Sequence, residues 1–130
     1  MTQVQTATIP LEPFGKARPR VTAGHTYMPD SYTKARAALR LLFGPVTVAP
    51  PWALTVTAVR AIPRSWSARR RAEAAGAWCA SKPDADNIAG AVMDALFEND
   101  AAVVAVTCRK KWGATGALEI EIRTAGGVTE

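Results

Sequence analysis

The run Lys82-Pro83-Asp84-Ala85-Asp86-Asn87 carries two carboxylates two positions apart, just ahead of a helical pattern. Side chains two apart on an extended segment point to the same side. Asp84 and Asp86 are therefore placed to hold a hard cation, and Mg²⁺ favours one or two carboxylates completed by water and phosphate oxygens. A third carboxylate, Asp100, follows in Asn99-Asp100. It could complete the site or hold a second ion for in-line phosphoryl displacement. A simpler task fits the same residues, because an aspartate at a helix start caps free N–H groups and favours the helix dipole. The two readings are compatible, since one carboxylate can cap while the other ligates. An EF-hand loop opening at Asp84 would need Asp or Asn at 88, Gly at 89 and Glu at 95. The chain has Ile88, Ala89 and Ala95. No Gly-rich phosphate loop is present, and 130 residues leave little room for the nucleotide-binding sheet of an Asp-x-Asp sugar transferase.

The basic residues gather elsewhere. Gly15-Lys16-Ala17-Arg18-Pro19-Arg20 contains Pro19, which pushes Arg18 into an extended conformation. Extended throughout, Lys16, Arg18 and Arg20 form a one-sided comb suited to phosphates along a strand. Tyr27, Tyr32, Trp66 and Trp112 lie near basic residues and could stack on bases, although each is read first as a core residue. Arg69-Arg70-Arg71 reads as a solvated helix face. His25 is the only histidine, so a Cys/His zinc site is nearly excluded, and it reads as a loop residue rather than a general base. Cys79 and Cys108 lack CxxC spacing and read as free, buried or half-buried thiols.

These residues need elements to position them. Residues 4–9 alternate as a first strand, and the proline- and glycine-rich stretch 10–30 reads as a long loop or irregular hairpin. Ser31 can cap a helix reaching about Phe43, closed by Gly44-Pro45. Residues 52–62 read as a central strand, followed by a short helix from Ser65 or Ser67 to Gly76. From Asp86 to Phe97, Ile88, Ala91, Val92, Ala95 and Leu96 share one helical face, with Asp86, Asn87, Gly90 and Asp94 opposite. Residues 101–111 and 117–123 follow as two strands. The order predicts a single α+β domain over residues 1–130, with a mixed sheet, packed helices and a C-terminal β-hairpin.

Charge and composition narrow the function. Net charge is +5, with a sequence pI near 9.7, which favours a polyanionic partner. Yet Asp84, Asp86, Asp94, Glu98 and Asp100 are five of the eleven acids, in a stretch without one basic residue. An acidic patch repels a polyanion unless cations intervene. The 19-residue uncharged run from Leu41 to Val59 is broken by Gly44, Pro45, Pro50 and Pro51, so no membrane span is expected. The first ten residues have neither a basic residue nor an apolar core, so no signal peptide is expected, and a cytoplasmic location follows.

KPDADN, the later Asp94-Ala95-Leu96 and the run from Asn99 to Val104 resemble RusA-type Holliday junction resolvases. GKARPR, His25-Thr26-Tyr27-Met28-Pro29 and Ile62-Pro63-Arg64-Ser65-Trp66-Ser67 are similar to its phage and prophage members. The similarity runs from about Pro10 to Gly113. It implies a RusA-like fold and a homodimeric endonuclease that makes paired nicks across branched DNA in recombination or repair. Mg²⁺ would be its ion, with Mn²⁺ as the alternative. Asp84, Asp86 and Asp100 would be both catalytic and metal-binding, and Lys16, Arg18, Arg20, Lys82, Lys110 and Lys111 would meet DNA. One departure stands out: the family pattern has a lysine where this chain has Gly90. Glycine costs the helix up to about 1 kcal/mol relative to Ala and leaves a notch on the polar face. Either another amine enters from Lys82, Lys110 or Lys111, or the protein binds junctions and cuts weakly or not at all. A scaffold with a structural cation is the third class, and it leaves the basic comb without a purpose. A 12-residue helix spans about 18 Å, so Asp100 is expected far from Asp84 unless it serves the Asp-x-Asp of a partner subunit.

Overall fold

The computed structural model describes residues 3–126. Its elements run β1 (Val4–Ile9), β2 (Arg20–Thr22), β3 (His25–Tyr27), α1 (Asp30–Phe43), β4 (Trp52–Ala61), α2 (Ala68–Ala74), α3 (Ala85–Leu96), a 3₁₀ turn (Asp100–Ala102), β5 (Val103–Gly113) and β6 (Ala117–Thr124). The main sheet has the order β1-β6-β4-β5. β6 is antiparallel to both neighbours, and β5 is parallel to β4. The fold is α+β on a mixed sheet, as the element order predicts. β5 and β6, expected as a closing hairpin, follow one another through residues 114–116, but β4 lies between them and pairs with both. β4 is rich in β-formers and alternates buried with half-buried residues, and its central place pairs both of its edges.

Alternation sets which face is covered. Leu54, Val56 and Ala58 of β4 and Leu118, Ile120 and Ile122 of β6 are buried. They pack with Ile88, Val92 and Ala95 of α3 and Leu39 and Phe43 of α1 in one core. Thr55, Thr57, Glu119 and Glu121 alternate with them on a polar, solvent-facing side. α1 and α3 therefore lie on one face only. Sidedness also explains α3: Ile88, Ala91, Val92 and Ala95 are its buried stripe.

Several boundaries differ from expectation for local reasons. α1 starts at Asp30 with Pro29 before it and no side-chain cap bond, so Ser31 does not cap it. Gly44 ends it at φ 80°, a left-handed conformation that glycine adopts without a Cβ penalty. Ser67 does cap α2, its Oγ accepting from Arg70 N at 3.2 Å. α2 buries none of its side chains, in keeping with Arg69-Arg71 as a solvated face. The 10–30 stretch contains an exposed two-stranded hairpin, β2–β3, turning at Ala23 and Gly24, both at positive φ.

Candidate active site

α3 begins where Asp84 stands, and Asp84 makes no side-chain cap bond to it. Asp86, in the first turn, accepts from the Asn87 backbone N–H through Oδ1 at 2.9 Å. Both carboxylates are exposed. Capping therefore consumes one oxygen of the pair at most, and hard oxygen donors remain open to solvent. Two shallow clefts flank them. One, of about 490 Å³, is lined by Arg60, Lys82, Pro83, Asp84 and Asn87. The other includes Asp86, Gly90, Val106 and Cys108.

The segment leading into α3 is held by cations. Lys110 Nζ donates to the carbonyls of Ser81 at 2.7 Å and Pro83 at 3.0 Å. An Arg60 guanidinium N–H donates to the Lys82 carbonyl. Arg60 Nε also lies 3.0 Å from Glu12 Oε1, an ion-pair contact without hydrogen-bond alignment. The Lys82–Pro83 peptide is cis. Burial pushes the Cys108 thiol above its ordinary value, with Lys110 and the Ala89 backbone opposing and Asp86 adding to the rise. A protonated, half-buried thiol is a poor nucleophile.

The two motifs singled out in the sequence meet here. Lys16 N–H donates to the Asn87 carbonyl at 2.9 Å, docking GKARPR on the first turn of α3. Gly15 permits the approach, since a Cβ there would stand 3.2 Å from Asn87 Cβ and 3.3 Å from Pro83 Cβ. The Lys16 stem then runs over Gly90. Lys82, Lys110 and Lys111 do not cover that notch. Lys110 is engaged with the loop carbonyls, and Lys111 Nζ lies 4.0 Å from Glu119 on the far face of the sheet. Lys82, Arg18 and Arg20 are exposed.

Other expected residues have structural roles. Tyr32 and Trp112 are buried, while Trp66 packs on Trp112 at 5.0 Å and lies under the Arg70 guanidinium at 3.6 Å. Tyr27, read first as a core residue, is instead exposed on the short β2–β3 hairpin, as is His25, the expected loop residue, on β3. Asp100 heads the 3₁₀ turn beyond the far end of α3. Among the described residues, no three of His, Cys, Asp and Glu gather closely enough to hold a metal ion within one chain.

Sequence reasoning missed Arg60, Glu12 and the partners of Asp94. Arg60 had a signal, being the only charge in the β4 sequence. Asp94 had none: its Oδ2 accepts from Tyr32 Oη at 2.6 Å and from Arg36 at 2.9 Å, both on α1.

The family described as Endodeoxyribonuclease RusA matches this chain over residues 10–123, which takes in every motif described above. No curated protein matches the chain. Paired open carboxylates ringed by Arg and Lys, in a sequence that matches this family over most of its length, place the chain in the RusA family of endodeoxyribonucleases, the enzymes that resolve Holliday junctions.

Proposed function

We propose that this endonuclease is a homodimer that cuts Holliday junctions by paired nicks, with Mg²⁺ as its ion. The observation that carries the reading is the open Asp84–Asp86 pair at the start of α3, with Lys16, Arg60, Lys82 and Lys110 around it. Nucleases of this family depend on a divalent metal in general. The donor chemistry fits a small hard ion: the carboxylate oxygens are solvent-exposed, and the Cys108 thiol in the neighbouring cleft is pushed toward its protonated form by burial. When bound, the ion supplies Lewis-acid stabilisation of phosphate charge and a water of lowered pKa.

The chain's own residues supply placement. Asp84 and Asp86 hold the reacting strand's site at a fixed helix end. Lys110 and Arg60 fix the loop carbonyls so that the two carboxylates keep their geometry. Arg18, Arg20 and Lys82 remain free to neutralise phosphates, which makes junction affinity fall steeply with salt. In the hydrolysis itself, at each of the two nicks, a water oxygen bonds to phosphorus and gives up a proton as one backbone P–O bond breaks, and the leaving sugar oxygen takes up a proton.

Dimerisation addresses the isolation of Asp100. β5 is an edge strand; only its far half is covered, by Ala77 and Cys79, whose backbones bond Trp112 and Lys110. Among the described residues Val103–Cys108 keeps one free edge, and Val104 and Val106 are 62% and 45% exposed. An exposed apolar edge invites pairing with another strand. Two copies paired antiparallel about Ala105 would set position 100 opposite position 110 of the other chain, where Lys110 meets the loop before Asp84. We assign the third carboxylate of each site to Asp100 of the partner subunit.

The test is cleavage of a labelled four-way junction with Mg²⁺ or Mn²⁺, against linear duplex and an Asp86→Asn control. Symmetric, metal-dependent nicks that vanish in the variant are expected. Tight binding without cutting would replace the resolvase with a junction-binding module. Mixing Asp84→Asn with Asp100→Asn subunits should restore cutting; two dead variants that never complement would rule out the shared site.

A further inference from the structure

Gly90 stands at the centre of the polar stripe of α3, one turn after Asp86 and one turn before Asp94. A Cβ at this position would lie 3.5 Å from Lys16 Cδ and 3.6 Å from Lys16 Cβ. A Cβ there would thus stand in ordinary contact with the Lys16 stem, and a side chain extending further would compete with that stem for the same surface. The backbone fixes this arrangement, through the Lys16 N–H bond to the Asn87 carbonyl and the close seating of Gly15 on Asn87 and Pro83. A packed stem with a free ammonium is how lysine covers a surface while keeping its charge in water. That charge is felt inside the stripe. Burial pushes Asp94 up, but its bonds from Tyr32 and Arg36, then the charges of Arg36 and Lys16, hold its carboxyl below the ordinary range.

Lys16, Arg18 and Arg20 are all exposed and, among the described residues, none makes an ion pair; Lys16 is set apart by its backbone bond to α3 and by its stem lying against Gly90. We propose that Lys16 is a catalytic residue of this nuclease: carried across the bare Gly90, its ammonium touches the phosphate being cut and stabilises the charge that develops on it. The inference rests on the resolvase reading above. It assigns the missing amine of the α3 stripe to the N-terminal loop, and it gives the bare Gly90 a purpose, because a long side chain there would crowd the Lys16 stem.

The experiment separates cutting from binding. Single-turnover cleavage of a four-way junction at saturating enzyme is compared with metal-free junction affinity for wild type, Lys16→Met, Lys16→Ala and the double variant Lys16→Ala/Gly90→Lys. Losing one preorganised charge contact at the reacting phosphate should slow Lys16→Met by about 10²- to 10³-fold. Its metal-free affinity should change only about threefold, the share of one phosphate contact among several. A lysine rooted at position 90 starts beside the present Lys16 stem, so the double variant should regain at least about tenfold over Lys16→Ala. The proposal is overturned if Lys16→Met cuts at the wild-type rate when saturated and loses affinity alone, since Lys16 would then be one tooth of the binding comb. It is equally overturned if the double variant is as slow as Lys16→Ala. A wild-type protein that cuts no junction with either ion sinks the resolvase reading itself, an outcome visible before any Lys16 variant is made.

Discussion

Asp86 and Asp94 lie two turns apart on one side of α3 and meet different surroundings. Asp86 faces solvent, with a single bond to the adjacent backbone and a cleft beside it. Asp94 is half-buried, bonded by a tyrosine and an arginine from α1. The first carboxylate keeps its charge free for something absent from the chain. The second spends its charge joining α3 to α1. A buried carboxylate is tolerable only when its lone pairs are satisfied. An exposed one with few partners contributes almost nothing to folding, so its neighbourhood points toward chemistry. Separation of the two roles along one helix lets the site end change without loosening the packed end.

Substitution should split the roles cleanly. Asp84→Asn or Asp86→Asn is expected to lower junction cutting by about 10³-fold or more, the loss of several kcal/mol of charge stabilisation. Thermal stability should hardly move. Asp94→Asn should do the reverse. Losing a charge-assisted bond pair at a half-buried position costs about 1–3 kcal/mol, read as a lower melting temperature or urea midpoint. Cutting by the folded protein should fall less than about tenfold, through looser seating of Lys16. Equal loss of cutting in Asp86→Asn and Asp94→Asn would erase the distinction.

Acid sharpens the comparison further. Because the carboxyl of Asp94 is held low in the fold, the unfolded chain binds its proton first as pH falls. The stability this residue adds is therefore present above its ordinary value of 3.8 and is lost as pH drops through the lower folded value. Urea midpoints measured down through that range should fall more steeply for wild type than for Asp94→Asn. Parallel profiles would mean that the α1–α3 pair is not coupled to folding.

The elements were readable in the sequence where periodicity spoke alone. VQTATI, WALTVTAVRA and ALEIEIRT became β1, β4 and β6, and the stripe of Ile88, Val92 and Ala95 gave α3 within a residue of its ends. Pairing was not readable, because β-propensity says nothing of which strand sits between which, and β4 separates β5 from β6. In the site, the Asp-x-Asp pair was legible from spacing, but its neighbours were not. Arg60 and Lys16 arrive from residues far away in the chain. The Lys16 approach depends on the tight seating of Gly15, and its stem crosses Gly90, two positions where the relevant feature is a missing side chain. Lys110 looked free by composition and is engaged with two carbonyls. Composition can count cations but cannot say which of them the fold has already used.

Tyr32→Phe gives the smallest effect and the most selective one. The ring would keep its edge contact with Phe14 at 6.0 Å and its place beneath Arg36, while the hydroxyl bond to Asp94 alone is lost. Arg36 still pairs with Asp94, so the carboxylate is not stranded, and the cost should be about 1 kcal/mol, below that of Asp94→Asn. The variant carries a second signature at the other end of the pH scale. Burial first, then the Asp94 bond and charge, raise the Tyr32 hydroxyl above its ordinary value, with Arg36 opposing. The unfolded chain therefore loses this proton before the folded one, and the contribution of Tyr32 is complete below its ordinary value of 10.0 and declines above it. Wild type should lose urea stability on the alkaline side where Tyr32→Phe stays flatter, and junction cutting near neutral pH should be alike in both. A variant that folds normally but no longer cuts would move Tyr32, and with it the Asp94 end of the helix, into the reaction centre.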